Sequence, residues 1–247
     1  MKKIIKKVFS GLGLQVSRKQ AARPTYDYFR NEQMIQGLVR CKRRGIEVNT
    51  IIDVGAASGS WSLSASELWP ECHYVLFEPL IERKAELEVL CANKKNFHFV
   101  GTAAGKDNGT VDFHVSHDLD GSGVAGGKGS QNLRTVEITS ITNQVGLLNT
   151  PGAYIVKLDT HGFEVPIIEG CKEILRDISL FIIECYGFHI TGDSLLFWEM
   201  CRYMEEKGFR LIDIIDVSQR PKDLAFWQCD AFFAPASLPI FNDNSFM

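Results

Sequence analysis

The chain has 247 residues, 45% of them hydrophobic and 23% charged, with a formal net charge of -3. The length is ample for one α/β domain with a full core, and the mild negative charge gives no basic field that would draw the chain to nucleic acid. Seven scattered cysteines with no C-x-x-C argue against a disulfide framework or a zinc knuckle and suit a reduced, cytoplasmic setting.

Residues 1–19, MKKIIKKVFSGLGLQVSRK, set four lysines beside Ile4, Ile5, Val8 and Phe9. No small-residue cleavage site follows, so a signal peptide is not expected. The pattern predicts a short solvated leader helix, with weak attachment to an anionic membrane face as the alternative. Met34, Ile35, Leu38 and Val39 then recur at helical spacing and predict a helix over 26–44, stopped at Gly45. Residues 1–45 read as a helical leader or cap, and 46–247 as a single domain.

From there strands and helices alternate. Continuous apolar runs predict strands at Thr50–Val54, His73–Phe77 and Phe97–Val100, separated by helices at 59–69 and 81–92. Fully apolar strands alternating with helices imply a parallel sheet covered on both faces. Residues 110–116 and 134–139 alternate in polarity instead and predict a hairpin-like excursion. The Gly/Ser-rich segment between them, 117–133, reads as a lid or a long surface loop. The parallel pattern resumes with Tyr154–Leu158, a helix at 163–176, Leu180–Ile183, a helix at 193–207, and closing strands Phe209–Ile215 and Asp230–Ala234.

In an open parallel sheet, ligands bind outside the carboxyl ends of the strands. The run IIDVGAASG ends the first strand in Asp53 and opens a turn at Gly55, Ala56 and Gly59. These glycines let backbone approach a ligand closely. Glu78 ends the next strand, about 20 residues on, where a ribose-binding acid is expected. Both NAD and S-adenosylmethionine suit that pair. The turn separates them, because Ala57 and Ser60 stand where a dinucleotide fingerprint has its second and third glycines. S-adenosylmethionine has no pyrophosphate and does not need them. One feature favours NAD: Tyr203 and Lys207 have the Tyr-x-x-x-Lys spacing of short-chain dehydrogenases, but they fall late in a helix where core packing is the simpler account.

The second constellation is YIVKLDTHGFE, a buried strand that contains Lys157, ends in Asp159 and runs through His161 and Gly162 to Glu164. A buried lysine needs a partner, and Asp159 shares its strand face two residues on. If the strand ending at Glu184 lies alongside, Asp53, Glu78, Asp159 and Glu184 meet at one edge.

In order and spacing, IIDVGAASGSWSL, VLFEP, the VGTAAG segment at 100–105, KLDTHGFEVPIIEGC and FIIEC resemble the FkbM-type methyltransferases. The resemblance runs from about 50 to 190 and is most specific in KLDTHGFE. It implies a class I, Rossmann-like S-adenosylmethionine-dependent fold, with a seven-stranded, mostly parallel sheet whose last strand is antiparallel. It also implies O-methylation of sugars or natural products, with S-adenosylhomocysteine as product. By position, Gly55 and Gly59 would hold the methionine moiety, with Asp53, Ala56, Pro79 and Asp159 beside the cofactor. Glu78 would bind ribose, and Thr102 and Ala103 would lie near adenine. Ala57, His161 and Thr142 depart from residues the family often has there: Asn, Glu and Asp.

Direct displacement at a sulfonium methyl requires alignment and a base for the hydroxyl proton. Asp159 is the first candidate base and His161 the second. Glu184 would orient the acceptor, and Lys157 completes the set. The run HVSHDLD (His114, His117, Asp118, Asp120) is where Mg²⁺ would sit if a sugar diol were held by metal, but a metal-free site is expected. Phe188, Phe197, Trp198, Phe226 and Trp227 are candidate stacking rings, with Phe197 and Trp198 read as core. The expected partner is a small-molecule or glycan acceptor with a free hydroxyl. An NAD-dependent sugar-modifying enzyme and a non-catalytic ligand-binding scaffold are the competing readings.

Overall fold

A computed structural model describes residues 26–126 and 132–246. The basic pattern of residues 1–19 lies outside the described residues. The chain divides into two compact units, Met1–Glu32 and Gln33–Met247. Helix α1 (Tyr26–Arg43) supplies the described residues of the first, and its part from Gln33 onward belongs to the second.

The second unit continues with β1 (Thr50–Val54), α2 (Ser60–Leu68), β2 (His73–Phe77), α3 (Ile81–Asn93), β3 (Phe97–Val100), β4 (Ala103–Ala104), β5 (Gly109–His114), β6 (Gly123–Val124) and β7 (Leu133–Thr139). Next come α4 (Ile141–Leu148), β8 (Tyr154–Leu158), α5 (Glu164–Glu169), β9 (Ile178–Tyr186), α6 (Phe197–Glu206), β10 (Phe209–Gln219) and β11 (Phe226–Pro235). Seven strands form one sheet in the order β10-β11-β9-β8-β1-β2-β3. Strands β3, β2, β1, β8 and β9 pair in parallel, while β11 runs antiparallel to both its neighbours. This is the class I methyltransferase arrangement expected from the sequence.

Every residue of β1 and β8 is buried, because helices cover both faces. On one face Ile52, Val75, Val156 and Ile183 meet α4, α5 and α6 through Val145, Ile167 and Met200. On the other, Ile51, Leu76, Ile155 and Ile182 meet α1, α2 and α3 through Leu38, Ala65 and Leu87. The alternation assigns Asp53, Lys157 and Glu184 to the second face, since each lies two residues from one of these apolar side chains. In β1, β8 and β9 these charged side chains thus share one face near the carboxyl end of the sheet.

The 103–139 excursion forms a second sheet of order β4-β7-β5-β6. Its β5 and β7 pair antiparallel, with Asp112 opposite Thr135, as the polarity alternation predicts. The loop 116–122 is braced internally: Ser116 Oγ donates to Asp118 Oδ1 (2.6 Å), and the Ser116 N–H donates to Ser122 Oγ (2.9 Å).

Strands β4 and β6 are additional to the predicted set, β9, β10 and β11 run longer than predicted, and three helices differ from expectation. Helix α4 is additional to the predicted set. Its signal was Ser140, whose hydroxyl caps the Asn143 N–H (3.1 Å). Helix α5 ends at Glu169 rather than near 176, since Gly170 and the residues after it turn back before a 3₁₀ turn at Leu175–Asp177. Helix α6 starts at Phe197 rather than 193, because Ser194 Oγ accepts from the N–H groups of Ile190 and Thr191 and holds those residues in a turn. Among the described residues, no helix is long and apolar enough to cross a membrane.

Candidate active site

β1 delivers the Gly55–Gly59 turn to the carboxyl edge of the sheet. Gly55 and Gly59 adopt φ 77° and 78°, the left-handed region. A Cβ on Gly55 would lie 2.1 Å from the carbonyl oxygen of Asp159, so close approach and conformation both demand glycine. Ala57 is left-handed as well, at φ 47°, which costs a residue with a Cβ about 1–2 kcal/mol. Asparagine visits that region more readily, which gives the departure at this position a physical meaning.

The Ala57 N–H donates to Oε2 of Glu78 (3.0 Å) and the Leu80 N–H to Oε1 (2.9 Å). Burial pushes the Glu78 pKa up, against the pull of those two bonds. Each oxygen keeps a lone pair for a further donor. Pro79 lies between Glu78 and Leu80 in this loop. Two polar atoms close to this end of the sheet, Thr102 Oγ1 and Trp61 Nε1, are buried without a hydrogen-bond partner. A ligand rich in hydroxyl and amine groups fits that set, because buried polar atoms are normally paired.

β8 builds the other half. Its register places Lys157 beside Asp53 on β1. The ammonium lies 3.2 Å from Asp53 Oδ1 and 3.3 Å from Asp159 Oδ2. Burial works to lower the Lys157 pKa, but the charges of Asp53 and Asp159 outweigh it and hold the pKa above the ordinary lysine value. Asp53 is fully buried, and Ser62 Oγ donates to its second oxygen (2.7 Å). It therefore lies beneath the site as the counter-ion of Lys157, and a direct contact with the methionine end of a cofactor is closed to it. The other three acids reach the edge.

The β8–β9 pairing sets Leu158 opposite Ile183, so Asp159 and Glu184 emerge side by side. His161 lies between them, at φ 52°, followed by Gly162 at φ 101°. Atoms of Asp159, His161 and Glu184 come within 4.8 Å of one another. The Nδ1 of His161 is 3.3 Å from Glu184 Oε2 and 2.9 Å from the Tyr186 hydroxyl, and its Nε2 is 2.8 Å from the carbonyl oxygen of Asp120. Burial works to lower its pKa, yet the hydrogen bond to Glu184 and the charges of Asp159 and Glu184 push it up to about 9. Tyr186 donates to Glu184, and so does Gln228 from β11. Glu164 is buried at the start of α5, where it accepts from Thr160 Oγ1 (3.1 Å) and the Gly162 N–H (2.9 Å) and braces the loop.

The fold thus gathers Gly55, Glu78, Asp159, His161 and Glu184 along one edge. Sequence reasoning missed Tyr186, Gln228 and the backbone of Asp120. Tyr186 follows Glu184 by two residues on the same strand face, so alternation alone could have found it. Gln228 depends on the antiparallel register of β11, which no local signal encodes. Tyr203 and Lys207 do not join the edge: both bond Oε1 of Glu169, at 2.6 and 2.5 Å. Thr142 donates to the Gly170 carbonyl (2.7 Å), a structural contact. His117 and Asp118 belong to the braced loop and form no ligand-spaced group among the described residues. Phe197 packs on the core as expected, but Trp198 is 57% exposed. Phe188 and Trp227 stack at 5.9 Å, and Trp227 meets Tyr186 edge-on at 5.8 Å.

A family model described as the methyltransferase FkbM domain matches residues 53–211. No curated protein sequence matches the chain. Among solved structures, the chain resembles a precorrin-6y C5,15-methyltransferase from Geobacter metallireducens at 12% identity, covering 89% of this chain and 92% of that one, with a TM-score of 0.44. It also resembles Aeropyrum pernix fibrillarin with natively bound S-adenosyl-L-methionine (12% identity, 81% and 76% covered, TM-score 0.47). A third is the magnesium protoporphyrin IX methyltransferase of Synechocystis with bound cofactor (10%, 94% and 96%, TM-score 0.43). Likenesses this distant say nothing of the acceptor.

Proposed function

The chain belongs to the FkbM methyltransferase family and is an S-adenosylmethionine-dependent methyltransferase, and on that premise we propose that it methylates a hydroxyl of a sugar, glycan or related natural product. The observation that carries this reading is the pair Asp159 and Glu184. They are two carboxylates at the ends of adjacent strands, and Asp159 touches the Gly55 turn through its own backbone. A base placed beside the methyl donor is what a neutral hydroxyl needs and what an acceptor that is already anionic does not.

The unpartnered Thr102 and Trp61 atoms and the spare lone pairs of Glu78 support the fit of the cofactor. Gly55, Ala56 and Gly59 would take the methionine moiety, Glu78 and Pro79 the ribose, and Thr102 and Ala103 the adenine side. When bound, S-adenosylmethionine supplies an electrophilic methyl group on a sulfonium. Asp159 takes the acceptor proton as the new C–O bond forms. Lys157 lies against one oxygen of Asp159 and holds the carboxylate in place, with the other oxygen facing His161. Glu184, held by Tyr186 and Gln228, orients a second acceptor hydroxyl. The site is proposed to work without metal, and the acceptor to be reached in the cytoplasm, with residues 1–19 available for weak contact with a membrane face.

Calorimetric titration with S-adenosylhomocysteine, followed by methyl-transfer assays on nucleotide sugars with and without EDTA, tests the proposal. Micromolar binding with EDTA-insensitive transfer to a hydroxyl supports it. Binding without transfer to any hydroxyl acceptor supports a scaffold role, and transfer only with added Mg²⁺ overturns the metal-free site.

A further inference from the structure

The hydrogen bonds around His161 allow one protonation pattern. A backbone carbonyl can only accept, so the Nε2 facing Asp120 must carry a proton. Tyr186 gives its one proton to Glu184, so its oxygen can only accept from Nδ1. The second nitrogen is therefore protonated too. A ring with two donors and no lone pair cannot take a proton from an acceptor.

Beyond its internal braces and the β5–β6 pairing, the loop that supplies the carbonyl is tied to the rest of the molecule at few points. Asp120 sends its side chain the other way, to Arg83 at the start of α3 (2.6 Å). Leu119 packs on the apolar cluster of Leu80, Ala103, Phe113 and Val136, whose Leu80 adjoins the Glu78 loop. A Cβ on Gly123 would lie within 3.6 Å of both the Thr160 carbonyl oxygen and the His161 Cβ, so this loop runs close over the end of β8. It therefore reaches from the Glu78 loop to the acceptor acids.

We propose that His161 is a positioning residue, a doubly donating clamp that ties the 116–124 loop to Glu184 and Tyr186 so that the loop and the acceptor acids hold one arrangement. This rests on the methyl-transfer reading only for what the loop covers, and it leaves Asp159 as the base. The groups that face the ring are Glu184 and Tyr186 from β9, Asp159 from the end of β8 and the Asp120 carbonyl. Lys157 stands behind Asp159, Arg83 behind Asp120, and Glu164 of α5 behind Glu184.

Hydrogen exchange of the protein without cofactor tests this. His161→Gly suits the left-handed backbone there. Exchange at Leu119–Gly123 should rise about tenfold or more in this variant, as loss of a charge-assisted bond predicts, while β1 and β8 stay protected. Added imidazole should restore the slow exchange. Equal loop exchange in variant and wild type overturns the clamp. If the variant does not fold, the wild type decides. The ring's pKa is raised above its unfolded value, so the clamp is complete below about pH 6.5 and is lost as pH passes about 9. Loop protection, corrected for the chemical rate, should fall there while strand protection holds; a flat profile overturns the proposal. Neither arm contains cofactor, so failure of S-adenosylhomocysteine to bind would count against the functional reading and leave this one standing.

Discussion

The two halves of the strand-end edge are built from different materials. The half at β1, β2 and β3 is made of turns: left-handed glycines, backbone N–H groups and one acid at the edge, Glu78, that braces them. The half at β8, β9 and β11 is made of charge: Lys157 between Asp159 and the buried Asp53 of β1, and His161 between Asp159 and Glu184. The difference teaches that a ligand met by backbone can be held by a short local motif. A reaction that moves a proton needs side chains gathered from distant strands and neutralised in pairs.

If the halves are separable in function, one change should break chemistry and leave binding alone. Asp159→Asn is expected to lower methyl transfer about 10²–10⁴-fold while S-adenosylhomocysteine affinity, measured by calorimetry, changes little. An equal collapse of both would merge the halves. Lys157→Met tests whether the charged half holds itself together. It strands Asp53, which is fully buried, and should cost about 3–5 kcal/mol of stability in urea unfolding. Glu78→Gln addresses the other half. It exchanges a charged acceptor for a neutral one and should weaken S-adenosylhomocysteine binding about ten- to a hundredfold, and because its amide nitrogen cannot accept from the second backbone N–H it should also cost about 1–3 kcal/mol in unfolding. Ala57→Asn sharpens the contrast most gently. It relieves the left-handed alanine and should raise stability by about 1 kcal/mol, read as a higher melting temperature.

The same division decides what the sequence discloses. The Gly55–Gly59 turn and Glu78 are adjacent in sequence or one strand apart, so spacing alone locates them. Asp159 and Glu184 could be matched because parallel neighbours in an alternating pattern have a short list of arrangements. The parallel strands of the sheet were legible for the same reason, most of their residues forming apolar runs. The role of Asp53 was not. Its burial follows from pairing with Lys157 across β1 and β8, residues 104 apart in the chain, and nothing local reports which acid ends up beneath the cleft. Tyr186 could have been found from its spacing. Gln228 and the Asp120 carbonyl could not, because one depends on an antiparallel register and the other is main chain, invisible to any reading of side chains.

Gly55 and Asp159 meet backbone against backbone, so the proposed cradle for the donor and the proposed base form one rigid piece. An engineer who wants a new acceptor cannot shift the base to suit it without spoiling the cradle. The acceptor must be brought to the base instead, by rebuilding the loops of the second sheet and the β9–α6 connection. Retargeting this enzyme is therefore a problem of its periphery, and the interior edge is the part to leave alone.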